Sequence, residues 1–172
     1  KVSFIDGGPG KNPIPTVGVN QAQFGVVGAS HIFLARLAPT PVDVVAIGAL
    51  IQDLPYAYIT LGNPGDPDPT PKDLEGKRLG LQSDGDLFIK AFAKRNNLDI
   101  SKIKMETVLA NAEPLMVGKV DFFTGMLHNQ TYQVEQEAAK PGAPAAVKGK
   151  VWKAMRFTQY GVPSYGDVLF TT

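Results

Sequence analysis

The chain has 172 residues, 44% of them hydrophobic and 19% charged, with 17 Lys plus Arg against 16 Asp plus Glu, an ordinary globular composition. A net charge of +1 without a block of like charges gives no electrostatic footprint for nucleic acid. No apolar run approaches the roughly 20 residues that cross a bilayer, so no direct membrane insertion is expected, and zero Cys removes disulfides, thiolate zinc sites and Cys nucleophiles. The opening Lys1-Val2-Ser3-Phe4 has neither an initiator Met nor the apolar core of a signal peptide, and reads as cut from something longer.

Residues 2–5 (VSFI) form a short β-rich run that stops at Gly7-Gly8-Pro9-Gly10. Asn12-Pro13 then offers a cap and a proline at the first helical position, which predicts a short helix over 13–20. Residues 24–28 (FGVVG) read as a buried strand, and Ser30 stands where an N-cap opens a helix that stops at Pro39. Two more strands are expected at 42–50 (VDVVAIGAL) and 56–61 (YAYITL). The stretch 62–71 (GNPGDPDPTP) carries four prolines and suits a stiff connector between two structural units.

Beyond it the rhythm restarts. A strand is predicted at 78–81 and a loop at 82–86, then a helix with Leu87, Phe88, Ala91 and Phe92 as its apolar stripe. Next come a strand at 103–108, a helix capped by Asn111 with Pro114 in its first turn, a strand at 120–125 and a helix at 130–139. Residues 140–150 (KPGAPAAVKGK) look like an inserted surface loop. Strands at 155–159 and 168–170 would carry the chain back. This alternation predicts an α/β fold with a parallel sheet, helices on both faces and ligands beyond the carboxyl ends of the strands. Its units are 1–61 (part of lobe 1), 62–71 (crossover), 72–155 (lobe 2) and 156–172 (return to lobe 1), the pattern of a hinged binding protein.

Gly7-Gly8, the run Asn20-Gln21-Ala22-Gln23-Phe24-Gly25-Val26, Leu34-Ala35-Arg36, Pro41-Val42, Ala46-Ile47 and residues 52–55 together resemble the first lobe of ABC-transporter solute-binding proteins. The similarity is to their thiamine-pyrimidine-precursor, nitrate, sulfonate and taurine group. In the second half, residues 73–80 (DLEGKRLG) are similar to that group's strand-entry signature, and Gly118-Lys119-Val120-Asp121, Gly125 and Asn129-Gln130 follow its later pattern. The resemblance implies a two-lobed, type 2 periplasmic-binding-protein fold of three-layer αβα lobes, the first incomplete here. It also implies a periplasmic or extracytoplasmic protein that passes a small ligand to an inner-membrane ABC permease. The opening strand with its aromatic pocket residue is missing relative to that pattern. The related fungal pyrimidine synthases carry a cysteine-rich motif that this chain lacks.

Candidate ligand contacts come from the loops at strand ends. Gly8 would let backbone approach a ligand, or simply make a turn. Ser30 could aim its hydroxyl and free N–H groups at a ligand, or only cap a helix. Gln52 offers both donor and acceptor to a heterocycle, or a hinge hydrogen bond. Gln82, Ser83 and Asp84 end the first strand of the second half, where Asp84 can accept from an amino group. Gly125 and Asn129 flank the end of VDFFTG, with capping the rival role for Asn129. Asp86 reads as a cap. His128, Tyr56, Tyr58 and Tyr160 are secondary candidates whose ordinary explanation is surface or core packing, as it is for Trp152.

Gly10-Lys11 and Gly76-Lys77 both fail the P-loop pattern, and no Gly-x-Ser-x-Gly elbow or His-Glu-x-x-His pair occurs. The expectation is therefore a binding protein without cofactor or metal. The site loops carry Ser, Gln, Asn and Asp but no Arg, which leans toward a small neutral or weakly basic heterocycle, and the family resemblance implies a thiamine pyrimidine precursor. A small anion, or a pyrimidine synthase-like enzyme using Lys77, Lys90 or Lys119, are the alternatives.

Overall fold

The computed structural model describes residues 1–8, 11–82 and 85–172. Its helices are α1 (Ile14–Gly18), α2 (Ala29–Leu37), α3 (Asp86–Arg95), α4 (Glu113–Met116) and α5 (Gln130–Ala138). Its strands are β1 (Gly25–Gly28), β2 (Val45–Ala49), β3 (Tyr56–Gly62), β4 (Arg78–Leu81), β5 (Lys104–Thr107), β6 (Phe122–Met126), β7 (Val151–Arg156) and β8 (Asp167–Thr171). They form two compact units, residues 1–54 with 163–172 and residues 55–162.

The smaller unit holds a three-stranded antiparallel sheet in the order β1-β8-β2. Alternation along β8 turns Val168 and Phe170 onto the face covered by α1 and α2, where they meet Ile14, Val17, Ala29, Ile32 and Val44. Asn12 starts α1 by accepting the Ile14 N–H through its side-chain oxygen at 3.0 Å. Gly25 is there because of close packing: a Cβ on it would lie 2.4 Å from the Phe170 ring. The register slips at Ile47, between Ala46 and Gly48, a β-bulge in β2. The expected strand at 2–5 is exposed coil, because the run has no neighbouring strand to supply a ladder.

The larger unit holds a five-stranded sheet in the order β5-β4-β6-β3-β7. β4 lies parallel to β5 and β6, but β3 runs antiparallel to both β6 and β7. The sheet is thus mixed, against the expectation of a parallel one, because hydrophobic runs fix burial and not direction. Alternate residues of β3 face opposite ways. Ala57 and Ile59 join Phe123, Leu115, Val120, Val134 and Val147 on one side. On the other side Tyr58 packs edge-on against Phe92 at 4.9 Å and tilted against Phe157 at 4.7 Å.

Three further expectations are corrected. The unit boundary falls between Leu54 and Pro55, and again between Val162 and Pro163. The proline stretch lies inside the larger unit because β3 buries Ala57, Tyr58 and Ile59 completely in that unit's core. The 140–150 insertion is not merely a surface loop, since its Val147 is fully buried. The buried stripe of α3 is Ile89, Phe92 and Ala93, an i, i+3, i+4 set, while Leu87 is exposed, because the helix turns that set and not the Leu87–Ala91 side onto the core.

Polar clamps fasten the larger unit away from the strand ends. Arg78 forks onto Asp121, with its N–H and Nε on Oδ2 at 2.9 and 3.0 Å and Nη2 on Oδ1 at 2.7 Å, tying the starts of β4 and β6 together. The guanidinium holds the Asp121 carboxyl below its usual range. Lys72 at 2.8 Å and the Asp99 N–H at 2.9 Å do the same for Glu75.

Candidate functional site

β4, β5 and β6 end together at Leu81, Thr107 and Met126, and β3 starts beside them at Tyr56. This is the sheet edge at which an α/β layer presents loops and helix starts to a ligand. An open concavity of about 320 Å³ lies there, lined by Leu81, Gln82, Asp86, Met105, Glu106 and Thr107. Gln82, the residue after β4, is half-buried and donates through Nε2 to the Thr124 carbonyl at 3.0 Å. That bond fixes which end of the amide faces away: Oε1 is left as an acceptor. Tyr56 and Phe88 stack at 6.0 Å with an interplanar angle of 28°, an aromatic wall next to this edge.

Ser83 and Asp84 lie outside the described residues. Asp86 opens α3, its side chain 3.7 Å from the Lys90 ammonium and largely exposed. Gly125 is explained by packing. A Cβ there would meet Ile59 Cδ1 at 3.0 Å and Gln130 Cβ at 3.1 Å, so its side of the strand is already filled. Asn129 precedes α5 without capping it, and its Oδ1 accepts from Gln133 Nε2 at 3.0 Å. Gln133 in turn accepts the Ala112 N–H at 3.0 Å. His128 is exposed.

The residue that sequence reading passed over is Gln130. It is almost fully buried, accepts the Met126 N–H at 2.7 Å and donates to the Ala110 carbonyl at 2.7 Å. One amide thereby joins the end of β6 to the loop after β5. Its spacing of four from the buried Val134 was the available signal, since i and i+4 share a helix face.

Of the secondary candidates, Tyr58 is core. Its burial pushes the phenol pKa far up, and its hydroxyl has no partner among the described residues, like that of Thr124 directly opposite on β6. Tyr160 donates to the Pro69 carbonyl at 3.3 Å and Trp152 to Glu135 at 2.7 Å.

In the smaller unit, Ser30 is the second residue of α2 and Gly28 occupies the cap position, so Ser30 does not cap the helix. The helix begins two residues earlier than expected, and the N–H of its first residue, Ala29, bonds the Gly166 carbonyl. Ser30 follows the carboxyl end of β1 and the exposed Gln52 follows that of β2. These strands flank β8, so the two residues share one edge of that sheet. Gly8 is exposed and its carbonyl accepts the Lys11 N–H at 3.0 Å. Thus the structure gathers Gln82, Gly125 and Asn129 in one unit and Ser30 with Gln52 in the other.

Among the described residues, no group of three His, Cys, Asp or Glu could hold a metal ion, and no helix is long and apolar enough to cross a membrane.

The NMT1/THI5-like family model matches residues 1–172, and the chain belongs to that family. No curated protein matches it. Among solved structures it is similar to the periplasmic aliphatic sulphonate binding protein SsuA of Escherichia coli (TM-score 0.61, 17% identity, 92% of this chain and 47% of that one). It is also similar to the periplasmic VFT2 domain of Bordetella pertussis BvgS (0.55, 16%, 92% and 58%). A third is the alkanesulfonate-binding SsuA of Xanthomonas axonopodis pv. citri bound to MOPS (0.51, 16%, 92% and 50%). The fold is therefore the type 2 periplasmic-binding-protein fold, and the chain spans about half the length of these structures.

Proposed function

We propose that this NMT1/THI5-like chain is the solute-binding component of an ABC importer. In this reading it works in the periplasm or its extracytoplasmic equivalent and hands a small molecule to an inner-membrane permease without covalent chemistry. The ligand is a small amino-bearing heterocycle such as a thiamine pyrimidine precursor. The observation that carries this reading is Gln82: its N–H end is tied to the Thr124 carbonyl, so it offers an acceptor at the strand ends, beside the Tyr56–Phe88 rings. Asp84 is the proposed second acceptor, with Ser83 and Asn129 as proposed further polar contacts in the same unit, and Ser30 and Gln52 are the proposed ligand contacts of the smaller unit. No Arg or Lys lines the concavity among the described residues, which disfavours a free anion there.

A small anion is the second reading, favoured by the sulphonate-binding names of two of the similar structures. An enzyme with a lysine-bound cofactor would need a buried amine, and Lys77, Lys90 and Lys119 are all exposed.

Thermal melting against a ligand panel separates the two binding readings. An aminopyrimidine at ~100 times its dissociation constant should stabilise the protein by about 2.7 kcal/mol, and Asp84→Asn should weaken its binding about tenfold. A shift with alkanesulfonate, taurine or nitrate but not with pyrimidines transfers the assignment to the anion.

A further inference from the structure

β6 outlasts its parallel neighbour. The ladder between β4 and β6 joins Leu79 to Phe122 and Gly80 to Phe123, and β4 ends at Leu81 while β6 runs on to Met126. Just past β6, the Leu127 N–H is bonded to the Pro55 carbonyl on the β3 side at 3.0 Å. Backbone groups alternate in direction along a strand, so the Thr124 C=O and the Met126 N–H face the other way, toward the edge that β4 has left. Buried groups in that position need partners from elsewhere.

Two glutamine side chains supply them. Gln82, directly after β4, donates through Nε2 to the Thr124 carbonyl at 3.0 Å, and Gln130 accepts the Met126 N–H through Oε1 at 2.7 Å. The two bonds fall two residues apart on one edge of one strand, where a longer β4 would have made them. Gln130 is 5% exposed, and its other end is committed as well, Nε2 donating to the Ala110 carbonyl at 2.7 Å. Its stem crosses β6 at Gly125, where a Cβ would stand 3.1 Å from both Cβ and Cγ of Gln130. Bare backbone at that point lets the amide reach the edge of the strand.

We propose that Gln130 is a positioning residue of the candidate site, holding the carboxyl end of β6 so that Gln82 and Tyr56 keep a fixed orientation toward the ligand. What the site binds rests on the function proposed above; the positioning does not. Gln130 itself does not line the concavity, whereas Gln82 does. Both dependent side chains hang on the segment that Gln130 holds: Gln82 is oriented by the Thr124 carbonyl, and Tyr56 stands opposite Met126 in the β3–β6 ladder. Without the Gln130 amide the Met126 N–H loses its partner and the end of β6 is free to shift. The Thr124 carbonyl then no longer decides which end of the Gln82 amide faces outward.

Two variants on one helix face test this. Gln130→Leu keeps the bulk and removes both bonds, while Val134→Ala, one turn on, opens a cavity in the core and keeps them. Calorimetry with the aminopyrimidine half of thiamine, at a temperature where both variants are folded, should show binding weakened at least about tenfold in Gln130→Leu and within about twofold of wild type in Val134→Ala. The ligand-free chain gives a readout independent of what is bound: the NMR signals of the Gln82 side-chain amide protons should move to free-amide positions in Gln130→Leu and stay in place in Val134→Ala. Hydrogen exchange on the unaltered chain does not depend on a variant folding. There the Gln82 side-chain amide and the Met126 N–H should open together, with protection factors within about threefold of each other. An unmoved Gln82 signal in Gln130→Leu, affinity altered alike by the two variants, or a Gln82 amide that exchanges freely beside a protected Met126 would each overturn the positioning role. A wild type that ignores the pyrimidine, with Gln82 still moving in Gln130→Leu, upholds the positioning role and refutes only the ligand assignment.

Discussion

The two units meet the same requirement, covering an apolar sheet, with different success. In the larger one both faces of the sheet are covered: Ile59 and Phe123 lie under α4 and α5 on one side, and Tyr58 lies under Phe92 and Phe157 on the other. In the smaller one a single face is covered, and Val26, Phe33, Leu34, Leu37, Val45 and Ile47 remain exposed. Sequence hydrophobicity is similar in the two, so apolar content alone does not make a core. What differs is whether a second layer is available to each strand face.

The largest expected effect tests that contrast. Phe92→Ala removes a fully buried ring from the aromatic cluster and should cost about 3–5 kcal/mol. Val45→Ala on the exposed strand should stay within about 0.5 kcal/mol, measured by urea denaturation. Comparable losses from both would mean that the smaller sheet is covered in solution.

A smaller effect sharpens the picture of the strand ends. Gly125→Ala pushes a methyl to 3.0 Å from Ile59 and 3.1 Å from Gln130, inside van der Waals contact, and overpacking of this kind costs about 1–3 kcal/mol. If melting is unchanged but ligand binding is lost, Gly125 approaches the ligand instead of serving packing.

The smallest effect is electrostatic. Asp121 and Glu75 have folded-state pKa values depressed by Arg78 and Lys72, respectively. Their contribution is therefore present above the unfolded carboxylate pKa, about 4, and is lost as pH falls through the lower folded values. Acid titration of stability should show this loss in the wild type, and Asp121→Asn should flatten it. Both pairs are partly exposed, so high salt should shrink the difference. A slope unaffected by Asp121→Asn would remove the Arg78 fork from the acid response.

Much of the layout was legible in the residues. The bounds of β4 follow from RLGL between Lys77 and Gln82, and α5 from an apolar position recurring after Gln130. Family likeness was legible in strings such as DLEGKRLG, and the family match covers the same chain. Strand direction was not legible, because a run such as YAYITL satisfies a parallel or an antiparallel neighbour equally well. Composition also misplaced the boundary: four prolines suggested a linker, yet the burial of Ala57, Tyr58 and Ile59 decides which unit owns the segment. The strand-end rule placed Gln82 directly after β4, and the structure has it there. Gln130 was missed because a buried amide is recognised by its partners, and those are brought near only by folding.

The position of β8 between β1 and β2 has a consequence for biosynthesis. β1 and β2 do not pair with each other, and among the described residues each finds its strand partner in residues 167–171. At roughly 5–20 residues per second, a ribosome reaches β8 on the order of ten seconds after β1 has emerged. For that interval two uncharged strands wait without a ladder, while the intervening unit can already fold. A nascent chain stalled before β8 would be the species most in need of a chaperone.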